Sequence, residues 1–88
     1  MIKKTYAMQS EEGLHARPAM RMAQLASTYK EDIDIIYKHT TMTLKSIIGI
    51  MSLGIPQGDE FTIRVSGKDE ENIMKIMHDL LIEEGLVK

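Results

Sequence analysis

With 88 residues, 43% of them hydrophobic, the chain has material for one small domain spanning residues 1–88 around one core, and no room for a second folding unit. Its formal net charge of −2, and three tyrosines and one phenylalanine that are not interleaved with a basic stripe, exclude the electrostatic footprint of a direct DNA or RNA binder. Cysteine is absent, no run approaches transmembrane length, and the segment from Met1 to Tyr6 lacks the apolar stretch of a secretory signal, so a cytoplasmic protein without membrane insertion is expected.

Tyr6 and Met8 fall on one face of a first strand, which Ser10-Glu11-Glu12-Gly13 ends. Downstream, Ala16, Ala19, Met22, Ala23 and Ala26 recur at spacings of three and four, which predicts a helix from Ala16 to Ser27. Pro18 lies in its first turn, where a missing N–H costs nothing, and Gly13 lets the chain turn tightly before it. His15 therefore falls at or beside the N-cap. A helix start presents unpaired N–H groups and roughly half a positive charge, so it favours a bound anion and a neutral imidazole, which is a nucleophile. Arg17 adds a planar fork of donors suited to phosphate oxygens. These residues suit phosphorylation of a ring nitrogen followed by donation to an acceptor. A histidine that only caps the helix, beside a solvated arginine, fits the same residues, and His-x-Arg-Pro alone does not separate the two readings.

Residues 32–37 alternate, with Ile33, Ile35 and Tyr37 on one side, and Thr41 to Leu44 makes a short return strand after a Lys38-His39-Thr40 turn. That turn lacks the glycine or asparagine that tight hairpins prefer. Ser46 is placed to cap a short helix carrying Ile47, Ile50 and Met51, stopped by Gly54 and Pro56. The clearest strand runs from Glu60 to Gly67, with Phe61, Ile63 and Val65 on one face. Asp69 is placed to cap a last helix whose stripe is Ile73, Ile76, Met77, Leu80 and Leu81, ending near Gly85. The order β-α-β-β-α-β-α predicts an α+β fold with three helices on one face of a four-stranded antiparallel sheet.

Among the eight methionines, Met22 and Met77 read as core, whereas Met20 and Met51, with Ile48, read as exposed apolar patches near the phosphate site. For Ile47 and Met51, burial beneath the short helix remains an equal alternative. His39 and His78 read as solvated, with no pairing to another histidine or cysteine that would suggest a metal.

Gly13-Leu14-His15-Ala16-Arg17-Pro18-Ala19 resembles the active-site signature of the HPr family, the histidine-containing phosphocarriers of the bacterial phosphoenolpyruvate-dependent sugar phosphotransferase system. Leu44-Lys45-Ser46-Ile47-Ile48-Gly49-Ile50-Met51-Ser52-Leu53-Gly54 resembles the regulatory serine region of that family in Gram-positive bacteria, Gly49 and Met51 included. With the closing Glu84-Gly85-Leu86, the resemblance covers essentially the whole chain.

It implies an open-faced β-sandwich with strand order one, four, two, three, which periodicity does not supply. It implies a stoichiometric carrier rather than an enzyme: His15 would accept a phosphoryl group from enzyme I, at Nδ1, and donate it to the IIA domains of sugar permeases. Arg17 and the helix start at Ala16 would bind the phosphoryl oxygens. No cofactor and no metal are implied, and a monomer is expected. Met20, Ile47, Ile48 and Met51 would lie on the surface that meets both partners. Ser46 would be phosphorylated by HPr kinase/phosphorylase, lowering transfer to His15 and creating a corepressor for a catabolite-control transcription regulator. In isolation Ser46 needs no role beyond capping. The alternative is a paralogue acting mainly through phosphoserine, but such paralogues characteristically lack the histidine. A small hydrolase or kinase is disfavoured by the lack of a nucleotide loop, a metal cluster or a paired acid and base. One departure stands out: Glu12 occupies a position where the family usually has a small polar residue, and it is expected to point into solvent.

Overall fold

Strands whose every second residue is apolar have one face that must leave water, and Ile33/Ile35 and Phe61/Ile63/Val65 define that face here. In the computed structural model, which describes residues 1–88, these residues belong to β2 (Asp32–Tyr37) and β4 (Glu60–Ser66), which lie side by side in an antiparallel sheet. β1 (Ile2–Ala7) pairs with the other side of β4, and β3 (Thr40–Thr43) with the outer side of β2. The strand order is β1-β4-β2-β3, as implied by the family resemblance. Three helices complete the chain: α1 (Ala16–Ala26), α2 (Ile47–Ser52) and α3 (Glu70–Glu83).

The helices cover the apolar face. Ala19, Met22 and Ala23 of α1 and Ile73, Met77 and Leu81 of α3 join Ile33, Ile35, Phe61 and Ile63 in one buried cluster. Met22 and Met77 are both fully buried, so their thioethers fill core volume, each contributing about 1.5–3 kcal/mol by area removed from water. The opposite face of the sheet is open and polar. Its register sets Thr5 against Thr62, with the hydroxyls 2.8 Å apart, and Asp34 against Arg64, joined by a 2.8 Å ion pair. One sheet face is thus dry and the other wet, which is why the strands alternate so cleanly.

The hairpin turn and one helix cap differ from the sequence expectation. Tyr37 pairs with Thr40, so the hairpin turn is only Lys38-His39 and β3 starts one residue before the expected Thr41. The tight turn is made without glycine because Lys38 takes the left-handed conformation, φ 55°, with its ammonium 5.3 Å from the Tyr37 ring. Asp69 sits at the N-cap of α3, but its carboxylate makes no capping bond and accepts instead from the Asn72 amide at 3.2 Å. Glu70 faces the start of the chain, where its carboxylate meets the Met1 ammonium at 2.7 Å and is held below the usual carboxylate range by that bond. No helix is long and apolar enough to cross a membrane.

Candidate functional site

The short segment between β1 and α1 is anchored at its middle rather than left free. Gly13 takes φ +66°, its N–H donates to the Ser10 carbonyl at 2.9 Å, and the next N–H, of Leu14, donates to the carbonyl of Ile55 at 2.9 Å. Leu14 is buried. This fastening leaves His15, half-buried, as the N-cap residue of α1 with extended backbone. Its side chain does not cap the helix; Nδ1 lies 3.1 Å from the Gly13 carbonyl oxygen.

A carbonyl oxygen only accepts, so Nδ1 is the donor in this pose. The first turn of α1 leaves the N–H groups of Ala16 and Arg17 without partners, and Pro18 has none to offer. Both free backbone donors therefore lie on the two residues that follow the histidine. The Arg17 side chain is exposed and makes no hydrogen bond or ion pair. Glu12, also exposed, has no partner either, as expected for a solvated carboxylate. Chemically, two free amides and an unengaged guanidinium next to an imidazole in sequence can serve an anionic group.

Ser46 starts α2 with extended backbone and its Oγ accepts the Gly49 N–H at 3.1 Å, so the predicted cap is present. The hydroxyl keeps its own proton free for other chemistry. Because α2 is only six residues long, the cap is a large share of its stabilisation. Ser46→Ala is expected to cost about 1 kcal/mol, lowering Tm by roughly 4–8 °C in a thermal melt, while Ser46→Asp keeps most of that stability.

Ile47, Ile48 and Met51 all project from α2 into solvent, with Ile48 84% exposed, and Met20 on α1 is exposed as well. For Ile47 and Met51 the choice left open between burial and exposure falls to exposure. Only Ile50 of α2 is buried, because a helix this short has one residue facing the core. A shallow groove between α1 and α2 is lined by Gln24 and Ser27 on one side and Lys45, Ser46, Ile47 and Ile48 on the other. Met20 precedes Gln24 by one helical turn, so it continues that wall toward His15.

Sequence reasoning missed three participants. The Ile55 carbonyl has no signature, being a backbone group of a distant loop. Arg21, one turn beyond Arg17, donates to Glu83 at 3.2 Å and to Glu84 at the end of α3. The signal that was available is the acidic pair closing an apolar helix that has no basic residue in its last turn. His78, taken as solvated, is half-buried instead: its ring stacks on Tyr6 with centroids 5.7 Å apart, and Nδ1 lies 2.8 Å from the Tyr6 hydroxyl. It lies on the β1 side of α3, where the strand edge supplies a partner that a helical wheel does not reveal. Burial pushes the Tyr6 hydroxyl above the ordinary tyrosine range. His39 is exposed in the hairpin turn.

Residues 2–83 match a family described as the PTS HPr component phosphorylation site. Among solved structures, the chain is similar to the histidine-containing phosphocarrier protein of Mycoplasma, with 32% identity, 99% of each chain covered and a TM-score of 0.96. It is similar to the phosphocarrier protein HPr of Bacillus anthracis, at 35% identity over 90% of this chain and 94% of that one, with a TM-score of 0.80. It also matches Crh, the catabolite repression protein of Bacillus subtilis, at 27% identity over the full length of both chains, with a TM-score of 0.72. That structure is described as a swapped dimer.

Proposed function

The chain belongs to the HPr family, the phosphocarrier components of the phosphotransferase system, and from that premise we propose that His15 is its phosphoryl-accepting residue. The observation that carries this reading is the placement of His15 directly before the two unpaired N–H groups of Ala16 and Arg17. Enzyme I, charged by phosphoenolpyruvate, presents a phosphoryl group; a nitrogen lone pair of His15 forms the N–P bond while the donor's own bond to phosphorus breaks and its electron pair returns to the donor. The Ala16 and Arg17 amides and the Arg17 guanidinium take the phosphoryl oxygens. The reverse sequence passes the group to a IIA domain of a sugar permease, and the carrier is restored.

Attack by Nδ1 requires a preliminary movement. That atom donates to the Gly13 carbonyl in the resting pose, so the ring turns away and the Nδ1 proton passes to water before the freed Nδ1 lone pair attacks.

Met20, Ile47, Ile48 and Met51 supply the apolar docking surface for both donor and acceptor in this proposal; their exposure beside the groove supports it. Ser46 is the regulatory site for HPr kinase/phosphorylase. A phosphate there adds close to two negative charges on the groove wall, weakening docking to His15 partners and offering a new feature to a catabolite-control transcription regulator. The protein acts in the cytoplasm as a monomer, in one domain and without a cofactor. Intact-mass analysis after incubation with enzyme I and phosphoenolpyruvate tests the central step: one acid-labile phosphoryl group per chain is the expected result, and an unmodified chain overturns the reading.

A further inference from the structure

Arg17 is without an ionic partner although two carboxylates lie near the same side of α1. Arg17 and Arg21 are four residues apart on one helical stripe, a separation of roughly 6 Å between their Cβ atoms. The one nearer the phosphate site is free, and the one farther from it holds both Glu83 and Glu84. The Glu84 side chain is only 8% exposed, so its charge is poorly hydrated and depends on a cation beside it. No basic residue stands in the last turn of α3, and the negative end of the helix dipole adds to the two carboxylates.

We propose that Arg21 is a positioning residue for phosphoryl acceptance: it engages Glu83 and Glu84 at the end of α3 and thereby leaves the Arg17 guanidinium free to bind the phosphoryl group. Without Arg21, the poorly hydrated Glu84 carboxylate turns to the nearest remaining cation on the stripe, which is Arg17. Arg17 then enters each transfer already paired, and the incoming dianion meets a carboxylate beside its binding group. The inference rests on the phosphate-binding reading of Arg17. Arg21 touches no reacting atom in this account.

A purely structural staple between α1 and α3 makes a different prediction, and removal of the carboxylates separates the two. We would measure the rate of His15 phosphorylation by enzyme I and phosphoenolpyruvate in Arg21→Met, which keeps much of the apolar stem, in Arg21→Met/Glu83→Gln/Glu84→Gln, and in Arg17→Ala. Arg21→Met is expected to be slower by about fivefold, the scale of one exposed charge pair, and the triple variant to return within about twofold of wild type. A wild-type rate in Arg21→Met overturns the proposal. So does a slow triple variant, since a lost staple is not mended by removing its other half. If Arg17→Ala slows phosphorylation while the Arg21 series is flat, only this inference falls; if Arg17→Ala matches wild type, the phosphate-binding reading of Arg17 falls first and takes the inference with it.

Discussion

Replacing His15 with alanine is expected to lower acid-labile phosphorylation by enzyme I and phosphoenolpyruvate by at least about three orders of magnitude, because no other group in the site has a nucleophilic lone pair. The substitution is a clean one. His15 makes no side-chain capping bond, so alanine loses only the Nδ1 contact with the Gly13 carbonyl at the start of α1, and the thermal melt is expected to move by no more than about 4 °C. The two remaining histidines provide the internal control. His39 is in an exposed hairpin turn and His78 is stacked on Tyr6 with Nδ1 against its hydroxyl, and neither has a helix N-terminus to receive the phosphoryl oxygens. Intact-mass analysis with acid treatment reads the result. An acid-labile phosphoryl group that persists in His15→Ala would place the accepting residue elsewhere and sink the carrier mechanism proposed for this site.

Gly13→Ala is expected to have the largest effect on stability of any single methyl addition near the site. A Cβ on Gly13 would stand 2.3 Å from the Ile55 carbonyl oxygen and 3.1 Å from Pro56 Cα, and both are backbone atoms that move only with their loop. The same carbonyl accepts the Leu14 N–H, so displacement of one strand of chain breaks the bond that fastens the other. The positive φ adds its own strain for any residue with a Cβ. Together these are expected to cost about 3 kcal/mol, or roughly 12–24 °C in Tm for a domain of this size. Gly54→Ala separates the two contributions: φ there is +61°, yet nothing lies within 4 Å of the added carbon, so only the conformational cost of about 1 kcal/mol remains. Equal losses in the two variants would show that the contact with Ile55 is not what holds the loop. Because the Gly13 carbonyl also orients the His15 ring, Gly13→Ala is expected to slow phosphorylation of the folded protein as well.

The Ile55 fastening connects the two motifs physically. Ile55 follows directly on α2 and Gly54, so the segment leaving the Ser46 helix is the one that holds the His15 loop. The serine and histidine are thus linked through a short stretch of backbone as well as across the groove surface.

Much of this was legible in local patterns. Ala16 to Ala26 shows its helix because small apolar residues at spacings of three and four have one way to be buried together, and that helix fixes what His15 and Arg17 stand beside. Phe61, Ile63 and Val65 show their strand for the same reason with a period of two. Ser46 shows its cap because a hydroxyl before an apolar turn has a donor to satisfy three residues on. Each of these depends on interactions within a few residues of chain.

What the sequence could not decide depends on groups far apart along it. The place of β4 between β1 and β2 came from the family resemblance, since alternation shows which face of a strand is buried but not which strand is its neighbour. The one-residue shift in β3 arose because pairing across the hairpin outweighed the poor turn chemistry of Lys38. His78 found Tyr6 across 72 positions, and Arg21 found Glu84 across 63. The histidine and the start of its helix are thus local facts that the sequence determines, whereas the carbonyl that fastens the loop and the carboxylates that meet Arg21 are decided only when packing of the helices on the sheet brings distant backbone and charge together.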